Sequence, residues 1–334
     1  MTHPDDLDYC MYSLKNGNPY IPRQLDVTRA DDLCMMLQFA GYPSLSEIRQ
    51  HIEQTASQGR PTAFLLSGRE GTGRSTLAEA IIHHYVQFQG IAHSFHLVRF
   101  GKRRRIDHNS ETRTFTILKV MRNAILAKGN WHHEEKLKGI IGDGDGEGLD
   151  DYDLQARAGS LMHFVDQSVR PEIRLGLLID GVQEDSFMKT LSIAFEDIPM
   201  VVVAKRDDYD VATTADSDRL EQREDWQKWA RHITLPPLSG NSFGMLADNR
   251  WTRAAPEVDC PFDLEGLSAT FARRPEPIRG ALSWLHWLLQ SRLLTYEGTE
   301  PWPAAQQLAL TAKWIEEMVR AAHLAPINIS EAAR

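Results

Sequence analysis

An α/β fold is predicted: a parallel sheet covered by helices, followed by an all-helical region. Three observations carry that expectation. Two apolar strands, Leu175–Ile179 (LGLLI) and Met200–Val203 (MVVV), lack polar alternation, as strands buried on both faces of a parallel sheet do. The glycine-rich run GREGTGRST, Gly68 to Thr76, sits between an apolar run, Ala63–Leu66, and a helical pattern, Thr76–Phe88. From Phe262 onward the periodicity is helical throughout.

The elements follow in chain order. Residues 1–24 are turn-rich, with Asn16-Gly17-Asn18-Pro19 and then Pro22. Helical periodicity over 31–40 and 44–57 is split by Gly41-Tyr42-Pro43. Residues 62–67 read as the first core strand, 76–88 as a helix and 92–100 as a second strand. The basic run Lys102, Arg103, Arg104, Arg105 comes next, then an amphipathic helix over 115–127. Residues 139–151, GIIGDGDGEGLDD, read as a flexible loop or linker. A helix over 154–169, a strand over 173–179, a helix over 187–195 and a strand over 200–203 follow. Residues 205–225 read as a polar surface loop, and 232–235 as a last short strand before Pro236-Pro237. Helices over 278–289 and 304–322 complete the chain. The organisation expected is an N-terminal segment over 1–40, a core over 41–240 and a helical lid over 241–334.

Composition narrows the functional classes. The 334 residues are 42% apolar and 25% charged, ordinary globular values, and are enough for one large domain or two smaller ones. A formal net charge of −9 argues against a general nucleic-acid binder. Cys10, Cys34 and Cys260 lie far apart with no zinc spacing. No run has the length of a membrane helix, and MTHPDDLDYC has no signal-peptide core. A cytoplasmic protein without a membrane segment is expected. Asp143, Asp145 and Glu147 superficially mimic a calcium loop, but the twelfth position holds Leu154 where a bidentate Glu is needed. The pairs His83-His84 and His132-His133 lack a zinc frame.

The glycine run carries the chemistry. Its order, Gly-x-x-Gly-x-Gly-basic-Ser-Thr, is that of a nucleotide-binding P-loop with Arg74 at the Lys position. Gly68, Gly71 and Gly73 permit positive φ and leave no Cβ in the way, so the backbone N–H groups of the loop, Thr72 included, can converge on phosphate oxygens. The helix that begins near Arg74 aims its positive end at the same place, with Thr76 in its first turn. Ser75 is placed to hold Mg²⁺ through its hydroxyl. Arg74 keeps the positive charge, but its planar fork does not replace an ammonium.

A second motif supports the first. The strand LGLLI runs into Asp180-Gly181-Val182-Gln183-Glu184-Asp185. A carboxylate at the carboxyl end of a parallel strand faces the ligand crevice. Asp180 therefore reads as a Walker B magnesium ligand, and Glu184, with Asp185 in reserve, as the residue that activates water. At the end of the next strand, Ala204-Lys205-Arg206, Arg206 is placed to report the γ-phosphate.

In these motifs and their order the chain resembles the AAA+ and STAND branch of P-loop ATPases, most closely NACHT-type domains. The resemblance covers roughly residues 18–295 and is strongest at the P-loop. It implies a P-loop NTPase three-layer αβα core with a parallel sheet, followed by an all-helical lid. LPPLSGNSFGML, Leu235–Leu246, is similar to the family's Pro-Leu-Ser turn. Pro275–Gly280 is similar to its lid turn without the first Gly, which gives Arg279 the place of a γ-phosphate contact. Asn18–Arg23 is similar to the segment that packs near adenine, which implies roles there for Tyr20 and Arg23.

Three departures point one way. Arg74 replaces the P-loop Lys, Gln183 replaces a Walker B acid, and Ala204 stands where the sensor strand has Thr. ATP and Mg²⁺ are the implied ligands, with slow or absent hydrolysis. The expectation is an ATP-binding regulatory or assembly switch, in which ATP closes the lid on the core to complete a surface for a separately encoded protein partner or for self-oligomerisation. Two alternatives stand beside it: a DNA-associated AAA+ regulator, as in transposition or replication loading, and a nucleotide-free scaffold. The run Lys102–Arg105 could serve nucleic acid, although the acidic total favours a solvated loop.

Overall fold

A computed structural model describes residues 9–12, 14, 17–33, 35–36, 39–101, 109–127, 130–168, 174–182, 185–204, 230–296 and 305–324. The described residues fall into two compact units. One gathers those of 1–42, 69–73 and 236–334, and the other those of 43–68 and 74–235.

The second unit is built on five parallel strands: β1 (Ala63–Gly68), β2 (Phe95–Phe100), β3 (Arg174–Val182), β4 (Met200–Ala204) and β5 (Arg231–Leu235). Their order across the sheet is β2-β3-β4-β1-β5. β1 is therefore central, and β4 separates it from the strand that carries Asp180. Apolar residues face both sides. Leu65, Leu177, Ile179, Met200 and Val202 share one core with α4 (Ser110–Ala127), α5 (Glu134–Ile141), α6 (Asp151–Ser168) and α7 (Asp185–Ala194). Phe64 and Leu66 are buried on the opposite face. There α2 (Leu45–Ser57) and α3 (Arg74–Gln89) lie, with the His51 ring edge-on to Phe64 at 4.9 Å. The result is a three-layer αβα core on a parallel sheet.

Local chemistry sets several boundaries. Helix α2 is opened by a capping box, in which Ser44 accepts from the Glu47 amide and Glu47 accepts from the Ser44 amide. Strand β3 runs two residues beyond Asp180, because a bulge between Asp180 and Val182, with Gly181 at φ +92°, re-registers it against β4.

The first unit is helical. It contains α1 (Ala30–Leu33), α8 (Gly240–Ala254), α9 (Leu264–Phe271), α10 (Ile278–Leu294), α11 (Ala305–Leu308) and α12 (Ala312–Leu324). Its core joins Tyr12, Leu14, Tyr20 and Phe39 of the N-terminal region to Trp251, Phe262, Leu285 and Ile315. Phe243 and Phe271 stack at 4.0 Å, and the Trp251 indole N–H donates to the Val258 carbonyl.

Several expected elements are corrected. The helix expected over 31–40 is described only over α1, where the Met35 amide closes an i→i+3 turn on the Asp32 carbonyl. Residues 139–151 are not a slack linker. Gly139–Ile141 form the last turn of α5, Ile141 is buried, and a Cβ on Gly146 would lie 2.7 Å from Phe115. The helix expected over 304–322 is broken at Leu310, which pairs with Phe262 in a short parallel bridge. Phe262 is therefore not helical, and α9 starts at Leu264, capped by the Asp263 carboxylate. β2 starts at Phe95 rather than residue 92, and α4 at Ser110 rather than residue 115. The polar loop expected over 205–225 lies outside the described residues.

Candidate functional site

The tip of the glycine loop, Arg69–Gly73, is fixed through its carbonyls. The Arg69 carbonyl accepts from the Thr72 amide at 3.3 Å and the Thr72 hydroxyl at 2.9 Å. The Gly71 carbonyl accepts from the Arg279 amide at 3.0 Å. The Thr72 carbonyl lies 3.0 Å from the Tyr42 hydroxyl, which is equally close to the Pro236 carbonyl. Gly71 and Gly73 have φ of +88° and +89°. Among the described residues their amides meet no acceptor. Carbonyls committed to donors, with amides left over, make an anion cradle.

The cradle tolerates only glycine at its tightest point. A Cβ on Gly71 would lie 3.0 Å from Arg279 Cβ and 3.3 Å from Pro277 Cβ. The start of α10 thus lies directly on the loop. The Arg279 side chain is 66% exposed, with Glu70 at 3.6 Å as an ion-pair partner. Of the residues expected at the site, Arg279 is therefore brought to the loop.

In the sequence Tyr42 stands out only as part of a helix break. Burial raises its phenol pKa, which keeps it a neutral donor. The only signal for it was a tyrosine held between Gly41 and Pro43 in a turn.

Tyr20 and Arg23 are both engaged by partners within the helical unit. Tyr20 is 0% exposed, edge-on to Phe262, and its hydroxyl donates to the Ala247 carbonyl at 3.0 Å. It packs the helical core and offers no face to a base. Arg23 is engaged by Asp32 through two 2.6 Å bonds. That fork, together with the Asp26 amide, holds the Asp32 carboxyl well below the usual carboxylate range. Thr72 is engaged within the loop itself. Its side chain folds the loop, and its amide already has an acceptor.

In the sheet unit, Gly68 is the last residue of β1, paired with Leu235. Arg74, Ser75 and Thr76 head α3. Ser75 and Thr76 are partly exposed, and among the described residues their hydroxyls have no partner. Arg74 is only 8% exposed, and its guanidinium donates to the Ala204 carbonyl at the end of β4. This was not expected of a phosphate ligand. Asp180 is opposite Val203 and partly exposed, with Gly101 close enough that a Cβ there would lie 3.4 Å from its own Cβ. A polar trio not foreseen in the sequence joins β1 to β5. The buried Ser67 hydroxyl lies 2.8 Å from His232 Nε2 and 2.9 Å from the Thr234 hydroxyl. Glu184, Arg206 and Lys102–Arg105 lie outside the described residues.

No protein-family model matches the chain, and no curated protein matches it. Solved structures give distant likenesses. Drosophila ORC bound to DNA matches over 91% of this chain and 70% of that one, at 13% identity and a TM-score of 0.44. The Aeropyrum pernix ORC1 protein in complex with DNA matches over 88% and 70%, at 14% identity and a TM-score of 0.39. Domain III of the Thermotoga maritima replication initiation protein DnaA matches over 86% and 97%, at 14% identity and a TM-score of 0.38. At such values none of them bears on the chemistry of this site.

Proposed function

We propose that the chain is an ATP-binding regulatory or assembly switch of the AAA+ kind, with slow or absent hydrolysis, acting on a separately encoded protein or by self-oligomerisation. The observation that carries this is the loop tip, where the Arg69 and Gly71 carbonyls are engaged by donors and the Thr72 carbonyl shares the Tyr42 hydroxyl with Pro236, while the Gly71 and Gly73 amides have no acceptor among the described residues. Those amides hold phosphate oxygens. Arg279 supplies an exposed positive charge from the loop's own unit. Ser75 and Asp180 would hold Mg²⁺, which neutralises phosphate charge when bound. Their fit is one of donor type: a hydroxyl with no partner among the described residues and a partly exposed carboxylate, both oxygen ligands.

Slow turnover follows from what the site lacks. Arg74 shares its fork with Ala204 where a lysine would give its whole charge to phosphate, Gln183 replaces an acid, and Ala204 brings no hydroxyl. One charge-stabilising contact is worth about 3 kcal/mol, or roughly a hundredfold in rate. The test is thermal denaturation with Mg-ATP or Mg-ADP beside phosphate release. Ligand at a hundred times its dissociation constant should stabilise the folded chain by about 2.7 kcal/mol. No shift with either nucleotide would leave a nucleotide-free scaffold, and turnover at tens per second would defeat the slow switch.

A further inference from the structure

Resting on the nucleotide reading above, we propose that Arg74 is a bridge: one edge of its guanidinium holds the carboxyl end of β4 while the other meets the bound phosphates, so that phosphate occupancy is transmitted to β4. The side chain is nearly buried, so it has few other positions to adopt. One Nη donates to the Ala204 carbonyl. Among the described residues its Nε and second Nη have no partner, yet neither is a fully buried orphan. They have room for an acceptor that arrives from solvent.

The fork explains why arginine serves this geometry. A guanidinium presents five N–H donors in one rigid plane and can satisfy two acceptors on different edges. A lysine ammonium is a point charge on a flexible stem and fixes no second partner in register. The change from Lys to Arg therefore costs reach toward the phosphates and gains a tether to the sheet. The tether falls at a sensitive place. Ala204 is the last residue of β4 and pairs with Val182 just past the bulge after Asp180. A phosphate drawing on the free edge of Arg74 stiffens the strand end that borders the Asp180 bulge.

The experiment is amide hydrogen exchange on the full chain with and without Mg-ATP, for wild type, Arg74→Lys and Arg74→Gln. In wild type Mg-ATP should slow exchange at Val203 and Ala204 by roughly tenfold, the weight of one charge-assisted hydrogen bond. Arg74→Lys should still bind Mg-ATP and protect the first turn of α3, yet lose the protection at β4. Arg74→Gln keeps an amide donor for Ala204 without the charge. It should leave β4 unresponsive to nucleotide, and it decides the matter if the lysine variant does not fold. Wild-type protection of β4 in either variant overturns the bridge alone. A wild-type chain that binds no Mg-ATP overturns the nucleotide reading and the bridge with it.

Discussion

At the scale of single residues, the loop glycines show most directly how geometry dictates identity. Gly71 combines φ of +88° with two Cβ neighbours at 3.0 and 3.3 Å. Gly90 has φ of +64° but open space around it. Gly71→Ala should destabilise by about 2–3 kcal/mol, because left-handed strain of about 1–2 kcal/mol is joined by a clash with α10. Gly90→Ala should cost about 1 kcal/mol from strain alone. Urea denaturation separates the two, and Mg-ATP affinity should fall only for Gly71→Ala. Asp32 offers a pH test. Its carboxyl titrates well below an ordinary aspartate because Arg23 and the Asp26 amide favour the charged form. A depressed folded pKa adds stability above the unfolded value of about 3.9, and that stability fades as pH falls toward the folded value. The denaturation midpoint of wild type should thus exceed that of Asp32→Asn at neutral pH, and the gap should narrow only below about pH 4. A gap independent of pH would mean that the ion pair is not its source. Residue identity was legible where a motif names it, as at the positive-φ glycines Gly71 and Gly73. It was illegible at Tyr42, whose partners, Thr72 and Pro236, are joined to it only by folding.

At the scale of elements, close helix approach is the controlling term in the helical unit. A Cβ on Gly266 would lie 2.3 Å from Ala312 Cβ and 2.6 Å from its Cα, so α9 meets the start of α12 nearly backbone to backbone. Gly266→Ala should cost about 3 kcal/mol, the upper part of the overpacking range, since backbone cannot rotate away. Gly159→Ala on α6, with nothing within 4 Å, should instead be neutral or slightly stabilising in the same denaturation experiment. The elements themselves were legible in proportion to how local their causes are. Strands β1, β3 and β4 announce themselves by apolar runs, and their parallel pairing follows from burial on both faces. Helix α5 was overlooked because the glycines after it dominate the composition. Its own signals are weaker: Glu134 and Glu135 in the first turn, and Lys138 paired with Glu134 at 3.1 Å. The break between α11 and α12 carries no Gly or Pro. It is imposed by the bridge from Leu310 to Phe262, which no local window contains.

At the scale of the whole molecule, charge and chain crossings matter more than any motif. Residues 9–14 and 20–39 contribute Tyr12, Leu14, Tyr20 and Phe39 to a core whose other members lie beyond residue 237. That long-range partnership has no signature in periodicity, which is why the N-terminal region read only as a separate segment. Net charge bears on the competing reading, a DNA-associated regulator. A formal charge of −9 repels a polyanion over most approaches, while Lys102–Arg105 concentrates four positive charges in one run. Non-specific DNA affinity commonly lies at about 10⁻⁴–10⁻⁶ M, and each neutralised phosphate steepens the logarithmic salt dependence by about 0.9. The switch reading expects DNA affinity no tighter than this range at physiological salt, unchanged by Mg-ATP. The competing reading expects submicromolar binding that Mg-ATP strengthens, together with a salt slope that drops by about 3–4 when all four basic residues are reversed to Glu. Fluorescence anisotropy with duplex DNA at several salt concentrations, with and without Mg-ATP, separates the two. Nucleotide-dependent binding that the quadruple reversal abolishes would replace the protein-directed switch with a DNA-directed one, on the same phosphate loop.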